Sequence, residues 1–280
     1  LTNRPYAFSA RSWELRKTET ADVLDALGSN IRVDNRGSEV LRVLPRVNED
    51  INEEWISDKT RFACDGLTRQ RLDRPYVRRG GKLEEATWDE AFTAIAQKLK
   101  VVSGKNIAAI SGDLADCESM LALKDLMAAL GSKNVDCRQD GAHLDASTRA
   151  GYLFNSTIAG IDTADACLLV GTNPRHEASV LNARLRRRCL DGDFPVAAIG
   201  QAVDLTYDYT HLGEGTDALA AIAAGRHAFA KTLKAAKHPM LIVGSGALAR
   251  PDGAQILAAA RSIAENCGMV SDGWNGFNVL

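Results

Sequence analysis

A figure that recurs through the second two-thirds of the chain constrains its fold more than any other feature. NIAAISG (106–112), ACLLVG (166–171), FPVAAIG (194–200) and PMLIVGSG (239–246) are short apolar runs that each reach a glycine. Between them lie the helical patterns CESMLALKDLMAALG, EASVLNARLRRRCL and DGAQILAAARSIAENCG. A strand that is apolar on both faces must be covered on both. Strands alternating with helices give parallel sheets with right-handed crossovers. Residues 107–111, 167–171, 196–199 and 240–244 are therefore expected to be parallel strands of one or two Rossmann-like sheets, with the glycine turns along one edge.

The texture before this region is different. SNIRVDNRGSEVLRVLPRV alternates apolar and polar residues about Asn35-Arg36-Gly37, as a hairpin does. A polar, irregular stretch follows, carrying Arg69, Arg71, Arg74, Arg78 and Arg79. Thr87-Trp-Asp-Glu90 is a capping box, and the helix it opens places Phe92, Ile95 and Leu99 on one face. These signals predict a small β-rich lobe over 1–85 followed by an α/β region over 86–280.

Composition narrows the function classes. With 280 residues, 45% hydrophobic and 25% charged, the chain has the make-up of a globular protein. A net charge of −2 argues against a nucleic-acid binder, which needs a basic excess to neutralise phosphates. No apolar run approaches the roughly 20 residues of a membrane-spanning helix. The start, LTNRPYAFSARSWELRK, lacks an initiator Met and an apolar leader, and reads as an excised or processed piece. The six cysteines (64, 117, 137, 167, 189, 267) are scattered without any C-x-x-C, as expected of buried thiols in a reducing compartment.

Two groups of residues carry possible chemistry. Asp22, Asp25 and Ser29 have the spacing of C-x-x-C-x-x-x-C, with Ser57 following after 27 residues, and each bears oxygen where a cluster site needs sulfur. Such ligands suit hard cations better than cluster iron. The second group is GTNPR, in which Gly171, Thr172, Asn173 and Arg175 form a turn between strand and helix. Amides at such a turn can receive a phosphate, whereas the bland reading is that a tight turn needs Gly171 for its backbone alone. The acidic stretch 48–54 reads as a solvated loop. Arg184, Arg186, Arg187 and Arg188 read as a surface face late in a helix. The five histidines show no metal spacing.

Long blocks of the chain resemble a known family. LTNRPYAF, GSNIRVDNRGSEVLRVLPRVNEDINEEWISDKTRFACDGLTRQRLDRPYVR, TWDEAF, LLVGTNPRHEASVLNARLRR, VDLTYDYTHLG and PMLIVGSGAL are similar to the large iron–sulfur subunit of respiratory complex I, the 75-kDa subunit in mitochondria. That region is in turn similar to molybdopterin oxidoreductases such as formate dehydrogenase. Those enzymes open with C-x-x-C-x-x-x-C and a later Cys in Cys-x-Lys-Gly-Arg-Phe, here Ser57-Asp-Lys-Thr-Arg-Phe62.

The resemblance implies that Asp22, Asp25, Ser29 and Ser57 are relics of a cluster site, near one another in space and without metal. It also implies that the family's 2Fe–2S and 4Fe–4S clusters lie upstream of residue 1. The parent enzyme would be an NADH:quinone oxidoreductase, and this piece a cofactor-free scaffold that is not catalytic alone. Its partners would be other peripheral-arm subunits, on the cytoplasmic side of the bacterial inner membrane or the matrix side of the mitochondrial one. NVDCRQDGAHLDAST stands where a molybdoenzyme supplies its metal ligand and offers Ser147 but no clear Cys. Two alternatives are a piece of an active molybdopterin oxidoreductase, with GTNPR and GSGAL cradling the cofactor's phosphates, and a plain nucleotide-binding module.

Overall fold

The computed structural model describes residues 4–112, 114–137 and 141–280, so residues 138–140 of the NVDCRQDGAHLDAST stretch lie outside the described residues. The chain forms two compact units, one of Leu1–Cys64 with Ala142–Leu280 and one of Asp65–Gly141. The expected boundary at 85/86 falls inside the second unit, and the β-rich lobe shares its unit with the larger α/β part.

The lobe is a three-stranded antiparallel sheet of β1 (Arg16–Ala21), β2 (Asn30–Arg36) and β3 (Glu39–Pro45), with β2 central. The β2–β3 turn is the one marked by Asn35-Arg36-Gly37, with Gly37 at φ +60°. Asp34 on β2 is fully buried and is held by Arg32 at 2.8 Å and Arg42 at 2.7 Å. A short helix, α1 (Asp58–Phe62), packs on β3.

The second unit holds the hairpin β4 (Tyr76–Arg79) and β5 (Lys82–Glu85), then α2 (Trp88–Val101), β6 (Ala108–Ile110), α3 (Cys117–Ala129) and β7 (Asn134–Asp136). The capping box is formed. The Glu90 amide donates to the Thr87 hydroxyl, and the Thr87 amide to the Glu90 carboxylate at 2.8 Å. Among the described residues β6 and β7 pair in parallel with each other alone, so 107–111 lie in a second sheet, apart from the other three predicted strands. Among the described residues α2 buries none, and Trp88, Phe92 and Ile95 are exposed. A two-stranded sheet offers too little surface to cover a whole helix face.

The remaining elements complete the first unit. They are β8 (Ala166–Val170), α4 (Pro174–Glu177), α5 (Ser179–Leu190), β9 (Val196–Ile199), β10 (Thr210–His211), α6 (Asp217–Ala223), α7 (Ala228–Ala235), β11 (Pro239–Val243), α8 (Ser245–Leu248), α9 (Gly253–Asn266), β12 (Val270–Ser271), β13 (Trp274–Asn275) and β14 (Phe277–Val279). Five of the strands form one fully parallel sheet in the order β10-β9-β8-β11-β14. Ranked along the chain the order is third, second, first, fourth, fifth, so it reverses between β8 and β11.

Alternate residues of these strands point to opposite faces, and both faces are packed. Leu168, Val170, Leu241 and Val243 meet Leu219, Ile222 and Leu233 from α6 and α7 and Ile256, Ala260 and Ile263 from α9. Cys167, Leu169, Met240 and Ile242 meet Leu181 and Leu185 of α5 on the other face. Each large side chain buried here contributes about 1.5–3 kcal/mol relative to exposure, which is why the sheet needs no alternation of polar residues.

Helix α5 ties the lobe to this sheet. Arg184, only 7% exposed, binds the Asp162 carboxylate and donates to the Glu49 carbonyl at 2.8 Å. Arg187 pairs with Asp162 and Glu53. Arg188 donates to the Ala164 and Gly192 carbonyls and lies over the Phe194 ring, and Arg186 donates to the Thr206 carbonyl. Arg186 and Arg187 are exposed, as expected of a surface face, whereas Arg184 is buried as an internal tie and Arg188 is half-buried. The acidic stretch is a loop whose Glu49, Asp50 and Glu54 are exposed, as expected, and it is anchored by one residue. Asn52 is fully buried, accepts from the Asn30 amide and donates to the carbonyls of Arg46 and Trp55.

Candidate functional site

The four oxygen-bearing positions occupy the connection after β1 and the start of α1. Asp22 follows β1 directly, and its amide donates to the Ser29 carbonyl at 2.8 Å, closing the loop that carries Asp25. Ser57 caps α1 by accepting the Thr60 amide at 3.1 Å. Thr60 joins the two ends. Its hydroxyl donates to the Asp22 carboxylate at 2.6 Å, and because that spends its one proton, Ser57 donates to Thr60 across 2.8 Å. Asp22, Ser29 and Ser57 therefore belong to one hydrogen-bonded cluster.

Asp25 joins it through its charge. Its Oδ1 accepts the Leu27 amide at 3.0 Å, while its Oδ2 and the Ser29 hydroxyl are buried without a hydrogen-bond partner. Burial raises the Asp25 pKa above the ordinary carboxylate range, the Leu27 amide opposes this, and the negative charge of Asp22 adds to the rise. A cubane cluster wants four thiolates. Between residues 15 and 65 there is one cysteine, Cys64, whose thiol donates to the Arg61 carbonyl. The donor set does not fit an iron–sulfur cluster. Among the described residues no three His, Cys, Asp or Glu side chains converge to hold a metal ion.

The second site lies where β8 and β9 end. A cavity of about 440 Å³ opens there, lined among others by Gly171, Thr172, Asn173, Gln201, Thr216 and Arg250. This is the edge at which open parallel sheets bind ligands. Gly171 has φ +58°, and a Cβ on it would stand 2.5 Å from the Ala247 methyl. A Cβ on Gly244 would stand 2.5 Å from the Gly171 carbonyl oxygen. Backbone meets backbone between the two turns, and only glycine admits that approach.

Three of the four residues expected at this turn line the cavity, and Arg175 does not. Its guanidinium reaches away to Asp204, binding the carboxylate at 2.5 Å and the carbonyl at 3.0 Å. Glu177, to which no sequence motif pointed, takes its place. It accepts the Thr172 hydroxyl at 2.7 Å and the Asn173 amide at 2.8 Å. The signal was an acid four residues after Asn173, within the first turn of α4, where a carboxylate reaches back to orphan amides. The Asn173 Oδ1 is buried with no partner. Ser147 is engaged elsewhere. Its backbone and hydroxyl bind Asp145, whose pKa falls to about 2 under those two bonds and that of Arg261.

Comparison with known proteins places both sites in context. The molybdopterin oxidoreductase family matches residues 71–280, and the NADH-ubiquinone oxidoreductase NDSU1/NuoG-like 4Fe-4S domain matches residues 15–65. The mitochondrial NADH dehydrogenase (ubiquinone) iron-sulfur protein 1 of Solanum tuberosum is 49% identical, over 100% of this chain and 38% of its own length. An NADH-quinone oxidoreductase subunit of Rickettsia conorii is 51% identical, over 100% of this chain and 42% of its own. The NADH-ubiquinone oxidoreductase 78 kDa subunit of Neurospora crassa is 49% identical, over 100% and 38%. The chain thus spans about two-fifths of the length of these relatives.

Proposed function

This chain belongs to the molybdopterin oxidoreductase family, in the line of the large iron–sulfur subunits of NADH:quinone oxidoreductase, and on that premise we propose that its 280 residues are a cofactor-free scaffold. In the complex the relatives are named for, electrons pass from NADH through flavin and iron–sulfur clusters to quinone. This part of the subunit would carry none of them; it would shape the peripheral arm and meet its other subunits on the cytoplasmic or matrix side of the membrane. The subunit's 2Fe–2S and 4Fe–4S clusters would be held by other parts of it. No helix among the described residues is long and apolar enough to cross a membrane.

One observation carries this reading. Where a NuoG-like 4Fe-4S domain would present thiolates, the chain presents Asp22, Asp25, Ser29 and Ser57, with Asp22 and Ser57 linked through Thr60. Two hydroxyls, that of Ser57 paired with Thr60 and that of Ser29 without a partner, and two carboxyls cannot replace four soft anionic ligands. The strand order around β8 supports a Rossmann-like ancestry for the sheet, consistent with a retained framework whose cofactors are gone.

Measurement of iron, acid-labile sulfide, molybdenum and tungsten on the purified chain tests the proposal. The expected result is none of them in stoichiometric amount, after purification both in air and under anaerobic conditions. Molybdenum or tungsten with a bound pterin would favour the reading that the cavity beside β8 serves an active molybdopterin oxidoreductase.

A further inference from the structure

We infer that the Glu177 carboxylate is a resident anion: it fills the place beside Gly171 that a molybdopterin dinucleotide would give to a phosphate, and so closes the cavity to phosphorylated ligands. The inference rests on the scaffold reading and adds the residue that enforces it.

The donors decide the matter. A phosphate seated at this turn would draw on the backbone amide of Asn173 and the hydroxyl of Thr172, two of the donors that follow Gly171. Each has a single proton to give. Both protons go to Glu177, to its two different oxygens, at 2.8 and 2.7 Å. The carboxylate therefore spans the two donors as two oxygens of a phosphate would, and the chain supplies the anion from within.

Charge acts in the same direction. The charged residues lining the cavity are Glu177, Glu214 and Arg250. Arg250 is paired with Asp252 at 2.7 and 2.9 Å, and Arg175, the cation of the turn, is turned onto Asp204. An incoming polyphosphate would meet two exposed carboxylates and no uncommitted cation among the described lining residues, a repulsion that added salt weakens. The glycine cradle is present, and the anion beside it belongs to the chain itself.

Calorimetric titration of the 280-residue chain with inorganic pyrophosphate and with GDP, at low and high salt, tests this. Wild type is expected to show no saturable binding. Glu177→Ala frees both donors and removes a charge. It should gain saturable binding of pyrophosphate, at least about tenfold tighter than any residual signal in wild type, and weakened by salt. Glu177→Gln keeps an acceptor for the Asn173 amide, guards against a loss of fold, and should gain less. If both variants are folded by circular dichroism and as silent as wild type, Glu177 is only a helix cap and the inference fails, while the scaffold reading stands. If wild type itself binds GDP saturably and Gly171→Val abolishes it, the scaffold reading falls as well.

Discussion

Arg184 and Glu49 stand 135 positions apart in the chain and are joined by a guanidinium-to-carbonyl hydrogen bond of 2.8 Å. The same guanidinium holds Asp162, so one buried cation fastens a loop of the β-rich lobe to the α/β sheet. Arg184→Met keeps much of the volume and removes every one of these bonds. It should cost about 2–4 kcal/mol, since a buried ionic tie is lost while its acceptors stay partly buried. Urea unfolding measures the loss. Limited proteolysis should show new cleavage between residues 46 and 56, and Arg186→Met, whose one bond is to a peripheral carbonyl, should change neither much.

The glycine at the β8 turn makes a sharper prediction. Gly171→Ala puts a methyl 2.5 Å from that of Ala247 and asks an L-residue to keep φ +58°. The cost should be about 2 kcal/mol or more. Ala247→Gly in the same chain should restore the part due to the clash and leave the part due to the backbone. Thermal melts of the two single variants and the double variant separate the two.

Asp25 should make stability depend on pH in the direction opposite to most carboxylates. Its pKa is higher folded than unfolded, so between the two values the folded chain binds more protons and stability falls as pH rises. Ionised Asp25 is thus a burden that is complete above the folded pKa and absent below the unfolded value of about 3.9. Asp25→Asn keeps an oxygen for the Leu27 amide and should raise the melting temperature at pH 7. The gain should vanish near pH 3.5. A gain of equal size at both pH values would rule out the charge as its origin.

Thr60→Val should uncouple the two ends of the oxygen cluster. The Asp22 carboxylate loses its donor at 2.6 Å and the Ser57 hydroxyl loses its acceptor, at a cost of about 1–3 kcal/mol. Thr60→Ser, which keeps the hydroxyl, should lose less than half of that. Chemical denaturation of the pair provides the comparison.

Much of the framework was legible because it depends on local pattern. Runs such as ACLLVG and PMLIVG can bury both faces only inside a sheet, and Thr87 and Glu90 make their capping box within one turn. The oxygen cluster was legible from spacing, although nothing in the sequence pointed to Thr60 as the link. What escaped was long-range polar pairing. Four arginines within five residues look the same whether they face water or reach back to Glu49, Asp162, Ala164 and Thr206, because the acceptors lie in distant segments. Arg175 was misplaced for the same reason. Its partner, Asp204, comes 29 residues later, and no local rule says which way so long a side chain will turn. The division into units followed neither composition nor charge, since the lobe is joined to residues beyond 142 through contacts that only the fold creates.

The contact between the turns at Gly171 and Gly244 bears on how such chains are recognised at all. Their glycines are required by each other and by Ala247, whatever the cavity holds. A lineage that abandoned its nucleotide would still be unable to change them without repacking the sheet edge. The fingerprint therefore outlives the ligand, and its presence reports the mechanics of a junction between two strands. Whether a pocket of this kind is still in use is written in the residue that meets the donors, here Glu177, a side chain that motif searches built on glycine spacing pass over.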